Sequence, residues 1–563
     1  MIRAVARSLA ALPLLVALAG PSLPAQQRAT PASRVAAAIR GEQVWGPLRF
    51  LSDDLLEGRA SSARGGELTV QYIASQFMAL GLEPAGDSGT YVQRVPIVTL
   101  NPTATLEVSG GAAPRALRYR DDFVAWSEQV PPPAQPTARG ETQAIDDSGE
   151  IVFVGFGVAA PEWQWDDFKG VDVTGKVLLV LVNDPGLRDS TIFRGSILTY
   201  YGRWTYKLEE AARRGAAGVL LVHNDTMATY GWQTVANSWT GDQVRLLKPN
   251  TALRWAGWIQ QGAAAALLRE RGLDLAQLMG AAARRDFRPV ATGIVAHATI
   301  TSSVRRVPTA NVIARLRGSD AALGGQAVVI GGHWDHHGIG RPVNGDSILN
   351  GATDNASGIA AMLAIADAFV RTGVRPRRSL LFVAFTAEEK GLLGSQAFAE
   401  NPPVPLRDVA AILNVDGANM WGATRDIGAL GTDQSTLGRF FEQAARAEGL
   451  RVAVNAEGLR SGSYFRSDHF PLARVGVPGL SLQAGNDFVG RPPEWSRQQR
   501  EEYNRLRYHQ PGDEILPWYT VDGALQQARV VARTALLVGD AREQPAWSPT
   551  SEFRAAGQRR LGR

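Results

Sequence analysis

The chain predicts an α/β fold, with a mixed, mostly parallel sheet flanked by helices, on three observations. Short apolar runs recur at 327–332, 380–385, 409–415 and 477–482, the pattern of strands buried on both faces. An Ala-rich, nearly all-apolar segment over 359–370 reads as a buried helix stopped by Gly373. Polar, chemically capable residues follow these runs, and strand ends are where open α/β sheets place ligands.

Each element contributes a candidate. The first run leads into His333-Trp334-Asp335, and the helix is entered through Asp354-Asn355-Ala-Ser-Gly358. The 380–385 run leads through Thr386-Ala387 to the adjacent carboxylates Glu388 and Glu389. The third run leads into Asp416, and the fourth into a polar segment reaching Tyr508-His509-Gln-Pro-Gly-Asp513. His333, Asp354, Glu389, Asp416 and His509 are therefore expected at the rim of one sheet, on a scaffold stiff enough for a metal site. Two imidazoles and three carboxylates exceed what one tetrahedral zinc takes from protein. A bridging carboxylate lets the five serve two metals that share one water. With no cysteine in the chain, nitrogen and oxygen ligation favours zinc. Glu388 is then free to act as general base.

Together these motifs resemble the M28 family of co-catalytic zinc peptidases, which includes leucyl-type aminopeptidases and a glutamate carboxypeptidase branch. The resemblance implies a zinc exopeptidase-like fold and two zinc ions. His333 and Asp416 would hold one ion, Glu389 and His509 the other, and Asp354 would bridge them. It implies that Glu388 moves the proton, that Asp335 orients the His333 imidazole, and that Tyr508 stabilises the oxyanion. It also implies a cis peptide at Asp354-Asn355. Of the seven histidines, His223 and His297 read as structural. His336 and His337 fit no ligand slot of the family and read as loop or substrate-facing residues. Ser467-Asp468-His469 resembles a segment that shapes the pocket wall. No Gly-x-Ser-x-Gly elbow accompanies it to suggest a serine triad.

At 563 residues, the chain is long enough for more than one domain. A net charge of +5 without a clustered basic stripe excludes nothing but gives no footprint for nucleic acid. Arg3 and Arg7 flank a short apolar stretch over 9–19, which reads as a signal peptide within 1–25 and predicts a periplasmic or secreted enzyme. No later segment is long and apolar enough to span a bilayer. Residues 35–130 resemble the opening of an M28 catalytic domain, and 304–540 carry its main part. Between them, after a Pro-rich connection at 131–136, the strand–helix–strand pattern of 137–295 resembles an inserted, smaller, β-rich protease-associated (PA) domain. The tail, 541–563, has no apolar period and is expected to be loosely ordered. The expected activity is removal of N-terminal residues from peptide substrates. A carboxypeptidase or dipeptidase, an aminoacyl cyclase and a non-catalytic binding protein stay open, as does the oligomeric state.

Overall fold

A computed structural model describes residues 1, 30–111, 113–131, 141–187, 189–228, 231–248 and 250–562. The expected signal peptide and most of the 131–136 connection lie outside them.

The apolar runs form the centre of a sheet. Gly479–Gln483, Val409–Asn414, Ala327–His333 and Ser379–Phe385 lie side by side and parallel. Each strand is buried on both faces because alternate residues face opposite layers. Val328 and Ile330 face one side, with the helices Ser357–Thr372 and Asp522–Asp540. Ala327 and Val329 face the other, with Phe398 and Leu472. The helix Ser357–Thr372 ends at Gly373, whose φ of 65° supplies the left-handed cap predicted for it. Antiparallel strands close the parallel set at both edges, Asp426–Leu430 beside Gly479–Gln483 and the end of Val290–Leu316 beside Ser379–Phe385.

A second core occupies the middle of the chain. Glu141–Phe153, Val177–Leu181, Gly218–His223 and Trp255–Gln260 run parallel, with Phe123–Ser127 antiparallel at the edge. A ribbon joins the two cores: Val92–Ser109, 18 residues long, pairs with most of the 27-residue Val290–Leu316. The change of core therefore falls inside these strands, not at the expected 130/137 boundary. Leu106, Phe123 and Trp126 all pack in the second core. An uninterrupted alternating strand gives no compositional break, whereas the prolines after it do.

The tail is a second correction. Residues 541–562 are docked rather than loose. Ala546 and Thr436 exchange hydrogen bonds, and Phe553 is buried among Tyr464, Phe465 and Phe470. Arg554–Arg560 is helical, and Arg560 donates to the Val409 carbonyl at 2.7 Å. The tail has no amphipathic period because isolated residues anchor it, rather than one helical face.

Candidate metal centre

His333, Asp354, Glu389, Asp416 and His509 converge at the carboxyl ends of the central strands. His333 ends its own strand, and Asp416 lies just beyond Val409–Asn414. Glu389 follows Ser379–Phe385 after a turn in which Ala387 has a positive φ. Asp354 enters the buried helix through a cis peptide to Asn355, as the resemblance implied.

Asp354 lies between the two imidazoles. Its Oδ1 is 3.2 Å from His333 Nε2, and its Oδ2 is 3.3 Å from His509 Nε2. On the flanks, Asp416 Oδ1 is 3.1 Å from His333 Nε2, and Glu389 Oε2 is 3.3 Å from His509 Nε2. Zinc bonds of about 2.0–2.1 Å in a tetrahedron place neighbouring ligand atoms about 3.3 Å apart. Each of these four spacings is that of a ligand edge around zinc, and His333, Asp354 and Glu389 bring ligand atoms within 4.8 Å of one another. His509 Nε2 has no hydrogen-bond partner among the described residues, which an ion would supply.

The supports around these groups are local and specific. His333 Nδ1 lies 3.0 Å from the Asp335 carbonyl, and donating there leaves Nε2 free for a metal. Asp335 thus reaches the His333 imidazole through its carbonyl, while its carboxylate lies 4.0 Å from the ring and accepts the Glu388 amide at 3.1 Å. Ser467 donates to Asp416 Oδ2 at 2.6 Å and accepts from Asn414 Nδ2 at 2.5 Å. Asp513 accepts the amides of Thr353 and Asp354. Asn355 donates to the carbonyls of His333 and Val415 and accepts from Gly358 and Gly417. That approach requires glycine at 358, where a Cβ would sit 2.1 Å from Asn355 Oδ1.

Arg59 is a further support. Its buried guanidinium donates to the carbonyls of Trp334, Leu51, Asn350 and Gly351, tying the His333 and Asp354 loops to the N-terminal segment. Burial pushes it down to about 10 despite the nearby Asp513, Asp354, Asp335 and Glu389 carboxylates.

Glu388 stands apart from the ligand edges. Burial pushes its carboxyl well above the usual range; His333 opposes the rise, and Asp416, Glu389 and Asp468 reinforce it. Burial also favours the neutral form of Glu389, but His337, His336 and His509 hold that carboxyl well below the usual range. Tyr508 stacks on His509 at 3.8 Å between ring centroids and is half-exposed. Burial and the surrounding carboxylates raise its phenol, which keeps it a donor.

Three readings of the sequence change here. His336 lies in a loop but is fully buried rather than substrate-facing, with Nδ1 2.8 Å from Glu389 Oε1. Its amide donates to the Arg59 carbonyl, so the backbone turns the ring inward. His337 follows it toward Glu389 Oε2, at 3.2 Å. Asp468 and His469 are also fully buried, so neither offers pocket surface.

Residues 311–532 match the model of Peptidase family M28. Leupeptin-inactivating enzyme 1 of Streptomyces exfoliatus is 31% identical over 176 residues, 30% of this chain and 38% of the relative. A probable glutamate carboxypeptidase AMP1 of Arabidopsis thaliana is 26% identical over 463 residues, 75% of this chain and 58% of the relative. The chain thus spans less than two thirds of the length of these curated relatives. Among solved structures, an aminopeptidase from Aneurinibacillus sp. strain AM-1 aligns over 90% of this chain and 95% of its own, at 19% identity and a TM-score of 0.46. Every converging carboxylate and imidazole lies inside residues 311–532, the segment that matches the model of Peptidase family M28.

Proposed function

We propose that this chain is an exported two-zinc exopeptidase that removes N-terminal residues from peptides. One observation carries the reading: Asp354 presents one oxygen to His333 and the other to His509, while Asp416 and Glu389 close the two flanks. His333, Asp416 and Asp354 would hold one zinc; Glu389, His509 and Asp354 the other. Bound zinc supplies Lewis-acid polarisation of the scissile carbonyl and an acidified water.

The chain's own residues do the rest. Glu388 takes the proton of the attacking water and passes it to the leaving amine, and its raised affinity for protons suits it to both transfers. The Asp335 carboxylate fixes the Glu388 backbone, and the Asp335 carbonyl fixes the His333 tautomer. The Tyr508 hydroxyl donates to the developing oxyanion. Export is supported by the apolar stretch between Arg7 and Pro24; among the described residues, no helix is long and apolar enough to cross a membrane. The strand–helix–strand order in the second core supports a PA-like cover that limits substrate size.

A carboxypeptidase is the second reading, favoured by the alignment to the plant relative, which covers three quarters of this chain. Asp487, a candidate acceptor for a substrate amine, is already paired with Arg425 and Arg451. Hydrolysis of dipeptides with free or blocked termini, with and without chelator, separates the readings. Chelator-sensitive cleavage that needs a free amine supports the aminopeptidase. Cleavage that needs only a free carboxylate replaces it with the carboxypeptidase.

A further inference from the structure

Two imidazoles, not one, face the outer oxygen of Glu389. His509 Nε2 lies 3.3 Å from Glu389 Oε2, and His337 Nε2 lies 3.2 Å from the same atom. The rings of His337 and His509 are 4.2 Å apart. Neither Nε2 has a hydrogen-bond partner among the described residues. The neighbouring His336 also has an Nε2 without a hydrogen-bond partner among the described residues, but its Nδ1 approaches Glu389 Oε1 at 2.8 Å, an ordinary charge-assisted hydrogen bond. The His337 spacing is longer than that and matches the edge of a zinc tetrahedron, about 3.3 Å. His336, His337 and Glu389 bring ligand atoms within 4.8 Å of one another, so closeness to Glu389 alone does not separate the two imidazoles.

We propose that His337 is a sixth protein ligand of the metal pair, joining Glu389, His509 and Asp354 on one ion. The proposal rests on the two-metal reading above and deepens it. It makes the two sites unequal. The Glu389 side would have four protein ligands, two of them imidazoles, which is the closed set of a tightly held zinc. The His333 side would have three, His333, Asp354 and Asp416, and keeps the open position that catalysis needs. His336 then orients Glu389 and binds no ion.

The test measures metal rather than turnover. Wild type, His337→Ala and His337→Gln would be dialysed against graded chelator and their zinc counted, with circular dichroism of the metal-free forms as the folding control. The glutamine amide can donate to Glu389, so it restores a hydrogen bond but not an imidazole ligand. Both variants are expected to lose the tighter zinc at least about tenfold more readily than wild type. Wild-type retention in His337→Gln overturns the assignment and leaves His337 a hydrogen-bond donor. X-ray absorption at the zinc edge of wild-type holoprotein decides the matter should a variant fail to fold. Three imidazoles shared by two ions support His337; two imidazoles exclude it. A wild type that binds one zinc refutes the two-metal reading itself, and loss of that zinc in both variants would still assign His337.

Discussion

The two cores of this molecule bury charge in opposite ways. In the second core, Lys207 is fully buried but donates to the carbonyls of Asn183 and Tyr201, while Asp184 accepts from Thr199 and Gly186. Asp167 accepts from the Val158 amide and the Trp165 indole. At the M28 strand ends, acceptors and imidazole nitrogens face one another instead, at spacings that suit an ion between them. Buried charge that the protein satisfies itself is structural, and buried charge aimed at other buried charge marks a site for something else.

Four variants sharpen that contrast, from the largest effect to the smallest. Asp354→Ala removes the one carboxylate that reaches both imidazoles, and is expected to lose metal from both sites and with it all measurable turnover. Full occupancy by elemental analysis would break the comparison at its root. Glu388→Gln is expected to keep its zinc and lose more than about a thousandfold in kcat, the loss of a general base and its charge. Lys207→Met leaves the buried carbonyls of Asn183 and Tyr201 without their donor and is expected to cost about 1–3 kcal/mol of stability. Its zinc content should match wild type, and a variant that lost metal with its fold intact would show the cores to be coupled.

The smallest effect is pH-dependent. Glu552 in the tail accepts the Tyr200 amide, and burial pushes its carboxyl up to about 8. A carboxyl raised in the folded state costs stability as pH climbs from its unfolded value, near 4.3, toward 8. Glu552→Gln keeps an acceptor without that cost. Its Tm should match wild type near pH 4 and exceed it by on the order of 1–2 °C at pH 8. A difference that shrinks with rising pH would contradict this sign.

Much of the site was legible because strand ends are local features. An apolar run followed by His, Asp or Glu can be read without knowing the partners, and the five residues so marked meet in the structure. Arg59 could not be found that way, since three of its four carbonyl partners lie 275 to 292 residues away, and carbonyls leave no trace in sequence. His336 and His337 were visible but misread, because their inward turn depends on the bridge between Ala60 and His336. Asp335 was placed near the right neighbours, but its carbonyl and carboxylate serve different loops. The core boundary and the docked tail escaped for the same reason: both depend on pairings between distant segments.

The long ribbon also dictates an order of events. Val92 pairs with Val312, so this part of the sheet cannot close until the intervening chain has been made. Every metal-ligand candidate lies beyond Leu316, the end of the ribbon's second strand. During synthesis, the whole second core is therefore available to fold before the first ligand loop exists. The closed ribbon then presents the 312–316 edge on which Ser379–Phe385 docks. In this sense the middle of the chain is a template whose ribbon edge the sheet with the candidate metal ligands extends.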